Sequence, residues 1–196
     1  MGNRRQRVFA NIHLAAALII AMFAALTIPS AQARTFSVLY NFDGASHGGD
    51  PYASLTRDAA GNLYSTVDYA GGSSFAGGVF KVAPDGTETM LYDFTGGADG
   101  AYPFSPVVRD SAGNLYGTTS MGGSANAGVV FKVDPNGSET VLHSFTGGAD
   151  GVTPIGGLVR DKAGNLYGTT SQGGTSNDGI VFKISPSGKE TILHTF

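Results

Sequence analysis

From residue 34 onward, short apolar runs alternate with clusters of Gly, Pro, Asn and Asp, and within the runs polar and apolar positions alternate with a period of two. In the most regular stretch the runs cover 155–160, 165–171, 180–184 and 190–196. None reaches the roughly ten to twelve residues of 3.6-residue period that a helix needs, so all four predict β-strands. In the last run Glu190, Ile192, His194 and Phe196 share one face, and Thr191, Leu193 and Thr195 share the other. Earlier runs repeat this with Glu139, Val141, His143 and Phe145 and with Glu88, Met90, Tyr92 and Phe94. Leu on the second face each time predicts a sheet covered on both sides.

The runs recur as a unit. Arg57-Asp58-Ala59-Ala60-Gly61-Asn62-Leu63-Tyr64 returns at 109–116 and 160–167, about 51 residues apart, and Val79-Phe80-Lys81-Val82 returns in step at 130–133 and 181–184. A fixed period of this length predicts a repeat architecture, each unit burying its faces against its neighbours. Asp58 and Gly61 with their copies fit one tight hairpin, the carboxylate accepting from turn N–H groups and Gly supplying positive φ. Pro84-Asp85-Gly86, Pro135-Asn136-Gly137 and Pro186-Ser187-Gly188 mark a second. Both hairpins fall at one end of the unit. The longer loops, 95–102 with 146–153 and 122–128 with 173–179, fall at the other.

Four antiparallel strands in about 50 residues match a propeller blade. The expected fold is therefore all-β: tandem four-stranded antiparallel repeats forming a partial β-propeller, over about 43–94, 95–145 and 146–196. The run 35–42 reads as an extra copy of the last strand. Three units are fewer than the roughly four to eight blades that close a propeller. A fragment of a longer propeller is one expectation and closure as a β-trefoil the alternative. In the first case further repeats or self-association would cover the apolar outer faces.

The first 33 residues follow other rules. Arg4, Arg5 and Arg7 precede an almost wholly apolar stretch from Leu14 to Ile28, and Ala31-Gln32-Ala33 closes it. This order predicts a secretory signal peptide at 1–33, hence a secreted or cell-surface protein with no membrane span after cleavage. An uncleaved anchor and twin-arginine export are the alternatives. Cleavage leaves 9 basic residues against 15 acidic, with no basic stripe to neutralise phosphates, which excludes nucleic acid as the expected partner. No Cys occurs, so the core and the sheet hydrogen bonds must hold the exported chain.

The pattern Gly164-Asn165-Leu166-Tyr167-Gly168-Thr169-Thr170, then Gly173-Gly174, then Gly179-Ile180-Val181-Phe182-Lys183, resembles the GloVer tandem repeat of bacterial secreted proteins. The resemblance extends over nearly all of 34–196 because separated motifs recur in register. It implies secreted or surface-attached proteins with propeller-type repeats, and carries no catalytic residue onto this chain.

Candidate chemistry is sparse. Asp99 and Asp150, in identical Gly-Gly-Ala-Asp-Gly loops, are candidate Ca²⁺ ligands, but one Asp per loop is far short of the roughly six to eight oxygens required. A structural turn is the expectation, with no cofactor. Arg57-Asp58 and its copies recur in every unit, which points to hairpin stabilisation rather than an active site. His143 and His194 take a position that Tyr40 and Tyr92 fill elsewhere, which reads as packing, and His47 stands alone in a polar loop. The copies differ most in one loop, where Asp68, Tyr69 and Phe75 face Asn126, Asn177 and Asp178 of the matching loops. Aromatics beside Asn and Asp suit a carbohydrate or a cell-surface protein or peptide. The expected function is a secreted, non-catalytic repeat module for ligand binding or surface interaction. A propeller-type lyase or glycosidase and a fragment without independent function are the alternatives.

Overall fold

The computed structural model describes residues 35–44, 48–69 and 74–196. The leader 1–33, His47 and positions 70–73 of the loop after Tyr69 lie outside the described residues. The chain divides into two units, Met1–Ser37 and Val38–Phe196. In the first unit only 35–37 are described, and they are exposed.

Alternation and turn chemistry give twelve short strands among the described residues. The first repeat holds β1 (Thr56–Arg57), β2 (Leu63–Val67), β3 (Gly78–Val82) and β4 (Glu88–Asp93). The second holds β5 (Val108–Arg109), β6 (Leu115–Thr119), β7 (Val129–Val133) and β8 (Glu139–Ser144). The third holds β9 (Val159–Arg160), β10 (Leu166–Thr169), β11 (Ile180–Ile184) and β12 (Glu190–Thr195). Each set forms one antiparallel sheet with strands in chain order. The protein is all-β, and its repeats have the four-stranded order of propeller blades. A trefoil would ladder strands of different repeats into a shared barrel. Every strand ladder here stays inside its own repeat, so the blade arrangement replaces that alternative.

The two hairpins form as the turn residues predict. Gly61, Gly113 and Gly164 have φ of 93°, 94° and 89°, the left-handed region open to glycine. The first strand of each sheet pairs over only two residues, shorter than the expected 155–160 in the third copy, where Gly156-Gly157 interrupt the run.

The cores lie between sheets. One cluster joins Tyr64, Val79 and Phe94 of the first repeat to Val107, Leu115, Phe131 and Val133 of the second. Another joins Val130 and Phe145 to Leu158, Leu166, Ile180, Phe182 and Ile184. A phenylalanine contact marks each junction, Phe94 on Phe131 at 5.0 Å and Phe145 on Phe182 at 5.2 Å, both edge to face. Gly117 and Gly168 make room for those rings, since a Cβ there would sit 2.6 and 2.5 Å from them.

Two expectations are corrected. The predicted strict alternation of the last strand fails because a bulge shifts the β11–β12 register between Val181 and Phe182, and the same bulge recurs in the other sheets. Leu91, Tyr92 and Phe94 therefore pack toward the second sheet while Met90 packs the opposite way. The segment 35–42 forms no strand ladder, although Phe42 meets the edge of Phe80 at 5.0 Å, as Phe94 meets Phe131. A strand needs a paired neighbour; this segment packs Tyr40 and Phe42 against the cluster of Val67, Phe80 and Val82 instead. On the far face of the third sheet, Phe196 is 57% exposed where its copies Phe94 and Phe145 are 1% and 0% exposed.

Candidate ligand-binding face

The long loops gather at one end, as their lengths predict. Isolated bridges tie Gly49 to Tyr69, Ala101 to Met121 and Val152 to Gln172, so the loop entering each sheet is clamped to the loop after its second strand. Neighbouring repeats are stitched there too: Tyr102 N–H donates to the Ala76 carbonyl at 2.8 Å, and Thr153 N–H to that of Ala127 at 3.0 Å. Closer to the first strands, Thr66 Oγ1 donates to the Ser105 carbonyl at 3.0 Å and Thr56 Oγ1 to that of Val107.

This end exposes aromatic rings. Tyr69 and Phe75 stack with centroids 5.1 Å apart and planes 25° apart, both partly exposed. Tyr52 and Phe104, in equivalent positions of successive repeats, lie 6.1 Å apart and are exposed, and Ile155 takes that position in the third. Asp68 adjoins Tyr69 in sequence. Among the described residues its Oδ1 is shielded from solvent without a hydrogen-bond partner; burial, reinforced by the charge of Asp50, raises its pKa above the ordinary carboxylate value against the backbone bonds of Asp68 and Tyr69 that lower it. Rings able to stack on a flat apolar ligand thus stand exposed at the long-loop end.

Of the residues singled out by sequence, Asp68, Tyr69 and Phe75 come together here. Asn126 and Asn177 have another task. Their Oδ1 atoms accept from Gly122 and Gly173 N–H at 2.9 and 3.0 Å, closing their own loops at φ of 54° and 63°. Phe75 holds the same backbone position at φ 52°, without that amide. Asp178 is exposed in the third repeat's loop. Tyr52 and Phe104 were missed by sequence reading. Their signal was an apolar residue directly after Pro51, Pro103 and Pro154.

Asp99 and Asp150 turn into their own loops. Asp99 accepts from Thr95 N–H at 2.7 Å and from the Tyr92 hydroxyl at 3.0 Å, and Asp150 accepts from Thr146 N–H at 2.8 Å and Thr146 Oγ1 at 2.7 Å. These bonds tie each carboxylate to the start of its own loop.

The repeated Arg-Asp motif is structural at the opposite end. Asp58 accepts from Asn62 N–H and Nδ2, both at 2.9 Å, and from the Tyr64 hydroxyl at 3.0 Å. The Asn62 side chain leads in holding the carboxyl down at about 2. Arg109 of the next repeat lies over the Tyr64 ring at 5.6 Å, and Arg160 over Tyr116 at 5.5 Å. Each motif therefore closes its own hairpin and grips the neighbouring sheet.

Glu139, where the second sheet meets the first, offers a pH test. Burial, reinforced by the charge of Asp99, pushes its carboxyl up from 4.5 to about 7. Its contribution to stability is complete below the unfolded value and is lost as pH rises through the folded one. The melting temperature should fall between about pH 5 and about pH 8, and Glu139→Gln should flatten part of that slope. An unchanged slope in the variant would contradict the assignment.

The Gloeobacter/Verrucomicrobia repeat matches residues 26–196. The chain belongs to this repeat family. The family's tandem pattern is what the three equivalent sheets embody. Among solved structures the chain is similar to a candidate gluconolactonase at 19% identity and TM-score 0.44, covering 70% of this chain and 45% of that one. It is likewise similar to a gluconolactonase from Xanthomonas campestris at 16% identity and TM-score 0.46, covering 70% and 44%. The chain thus spans less than half the length of these two proteins. No curated protein matches it. Among the described residues no helix is long and apolar enough to cross a membrane.

Proposed function

We propose that this repeat chain is a non-catalytic carbohydrate-binding module, exported and acting outside the cytoplasm or at the cell surface. The observation that carries this reading is the two exposed ring pairs at the long-loop end, Tyr69 stacked on Phe75 and Tyr52 beside Phe104. Sugar rings present apolar C–H faces that stack on aromatic side chains, while their hydroxyls donate to carboxylates and backbone carbonyls. The first repeat's longer loop, with Tyr69 and Phe75, would dominate affinity. Equivalent positions in the other repeats would extend the contact along a chain of sugars.

Affinity electrophoresis against a panel of soluble polysaccharides tests this directly. Tyr52→Ala and Tyr69→Ala should each weaken retention by about tenfold, the equivalent of roughly 1.4 kcal/mol of stacking. Retention equal to the parent in both variants would remove the rings from the account.

A further inference from the structure

We propose that His143, Asp150 and Glu190 form a divalent transition-metal site that clips the second sheet to the third. His143 stands on β8, Asp150 in the loop between repeats, and Glu190 at the start of β12, so the three side chains come from both sides of one junction. Their ligand atoms all lie within 4.8 Å of one another. His143 Nε2 is 3.9 Å from both Asp150 Oδ2 and Glu190 Oε2, beyond hydrogen-bonding reach. Tetrahedral zinc at about 2.0–2.2 Å from each ligand would set neighbouring ligand atoms roughly 3.3–3.6 Å apart. Small side-chain rotations about the present positions therefore suffice.

Two further observations point to an ion. Among the described residues His143 Nε2 is buried with no hydrogen-bond partner, a costly arrangement that a cation relieves, whereas the orphaned Glu190 Oε1 recurs as Glu139 Oε1 at the neighbouring junction and does not distinguish the two. The sister junction between the first and second sheets supplies an internal control. There Tyr92 occupies the place of His143, and its hydroxyl donates to Asp99 at 3.0 Å, with Glu139 as the counterpart of Glu190. The tyrosine spans the gap itself. Histidine is shorter and leaves it open, lined by an imidazole nitrogen and two carboxylates.

The donor set selects the ion. Imidazole suits zinc and its first-row neighbours, and three protein ligands leave a fourth position to water. Calcium would demand about six to eight oxygens, and the site offers two carboxylates and a nitrogen. Asp150 is already oriented by Thr146 N–H and Thr146 Oγ1, the outer support that fixes a ligating carboxylate.

The test is calorimetric titration of the full chain with Zn²⁺, alongside thermal melting. One Zn²⁺ should bind per chain and raise the melting temperature, whereas Ca²⁺ alone should leave it unchanged. His143→Tyr rebuilds the sister junction, so it should fold as the parent does and lose Zn²⁺ affinity by at least about tenfold. Tyr92→His should create a second site and raise the stoichiometry to two. Glu190→Gln reads the same loss as His143→Tyr should that variant fold poorly. Absence of Zn²⁺ binding in the parent, affinity retained in both His143→Tyr and Glu190→Gln, or no added site in Tyr92→His would each overturn the proposal.

Discussion

Phe131→Ala is expected to lower the unfolding free energy by about 3–5 kcal/mol, measured by urea denaturation, which places it among the most damaging single changes in the chain. The ring is fully buried at the junction of the first and second sheets, where it meets Phe94 edge to face and packs with Val107, Leu115, Val129 and Val133. Its pocket is shaped for it, since Gly117 leaves open the volume that a Cβ would take 2.6 Å from the ring. Truncation would leave a cavity bounded by two sheets held together by bonds such as that from Tyr102 N–H to the Ala76 carbonyl, which limit their collapse into it. Because units of this kind draw stability from their junctions, the loss should weaken the first and second repeats together. A cost below about 1 kcal/mol would show that the junction is loosely packed.

Asp110→Ala should cost about 2–4 kcal/mol, an effect large for a side chain at the surface end of a hairpin. Its carboxylate accepts from Ala112 N–H, Asn114 N–H, Asn114 Nδ2 and the Tyr116 hydroxyl, all at 2.9–3.0 Å. Burial pulls its pKa upward, but the bonds from Asn114 and Tyr116 outweigh that and hold it below the ordinary carboxylate value. Its contribution is therefore present above the unfolded pKa and is lost as pH falls through the folded one. The damage should spread, because Tyr116 also carries Arg160 of the third repeat on its ring. Asp110→Asn keeps one acceptor oxygen and should fall between parent and Ala. Equal stability of Asp110→Ala and the parent would mean that the hairpin is held by its backbone bonds alone.

Much of the fold is legible in the chain because its signals are local. Gly113 needs positive φ, Pro135-Asn136-Gly137 turns, and the four runs of each unit are too short for helices. What escapes reading depends on contacts that only the fold creates. The bulge at Leu91, repeated at Leu142 and Leu193, has no residue of unusual type to announce it, yet it sends Leu91 and Phe94 into one junction. Arg109 and Tyr64 are both plain in the sequence, but their contact crosses from one copy to the next, and a repeat read one unit at a time hides it. The loop residues divide by the same logic. Asn126 and Asn177 looked available for a ligand, whereas their amides close the turn four residues earlier. Tyr69 and Phe75 stack on each other instead, and the Gly49–Tyr69 bridge ties their loop to the segment that leads to Tyr52.

The most direct measurement of the proposed function is backbone NMR of the isotope-labelled chain titrated with an oligosaccharide from a polysaccharide it retains. The account predicts that shift changes concentrate at Tyr52, Asp68, Tyr69, Phe75 and Phe104, at the long-loop end of the first two repeats. Changes concentrated at Val159, Leu193 and Phe196, on the exposed far face of the third sheet, or at the Asp58 and Asp110 hairpins would contradict it.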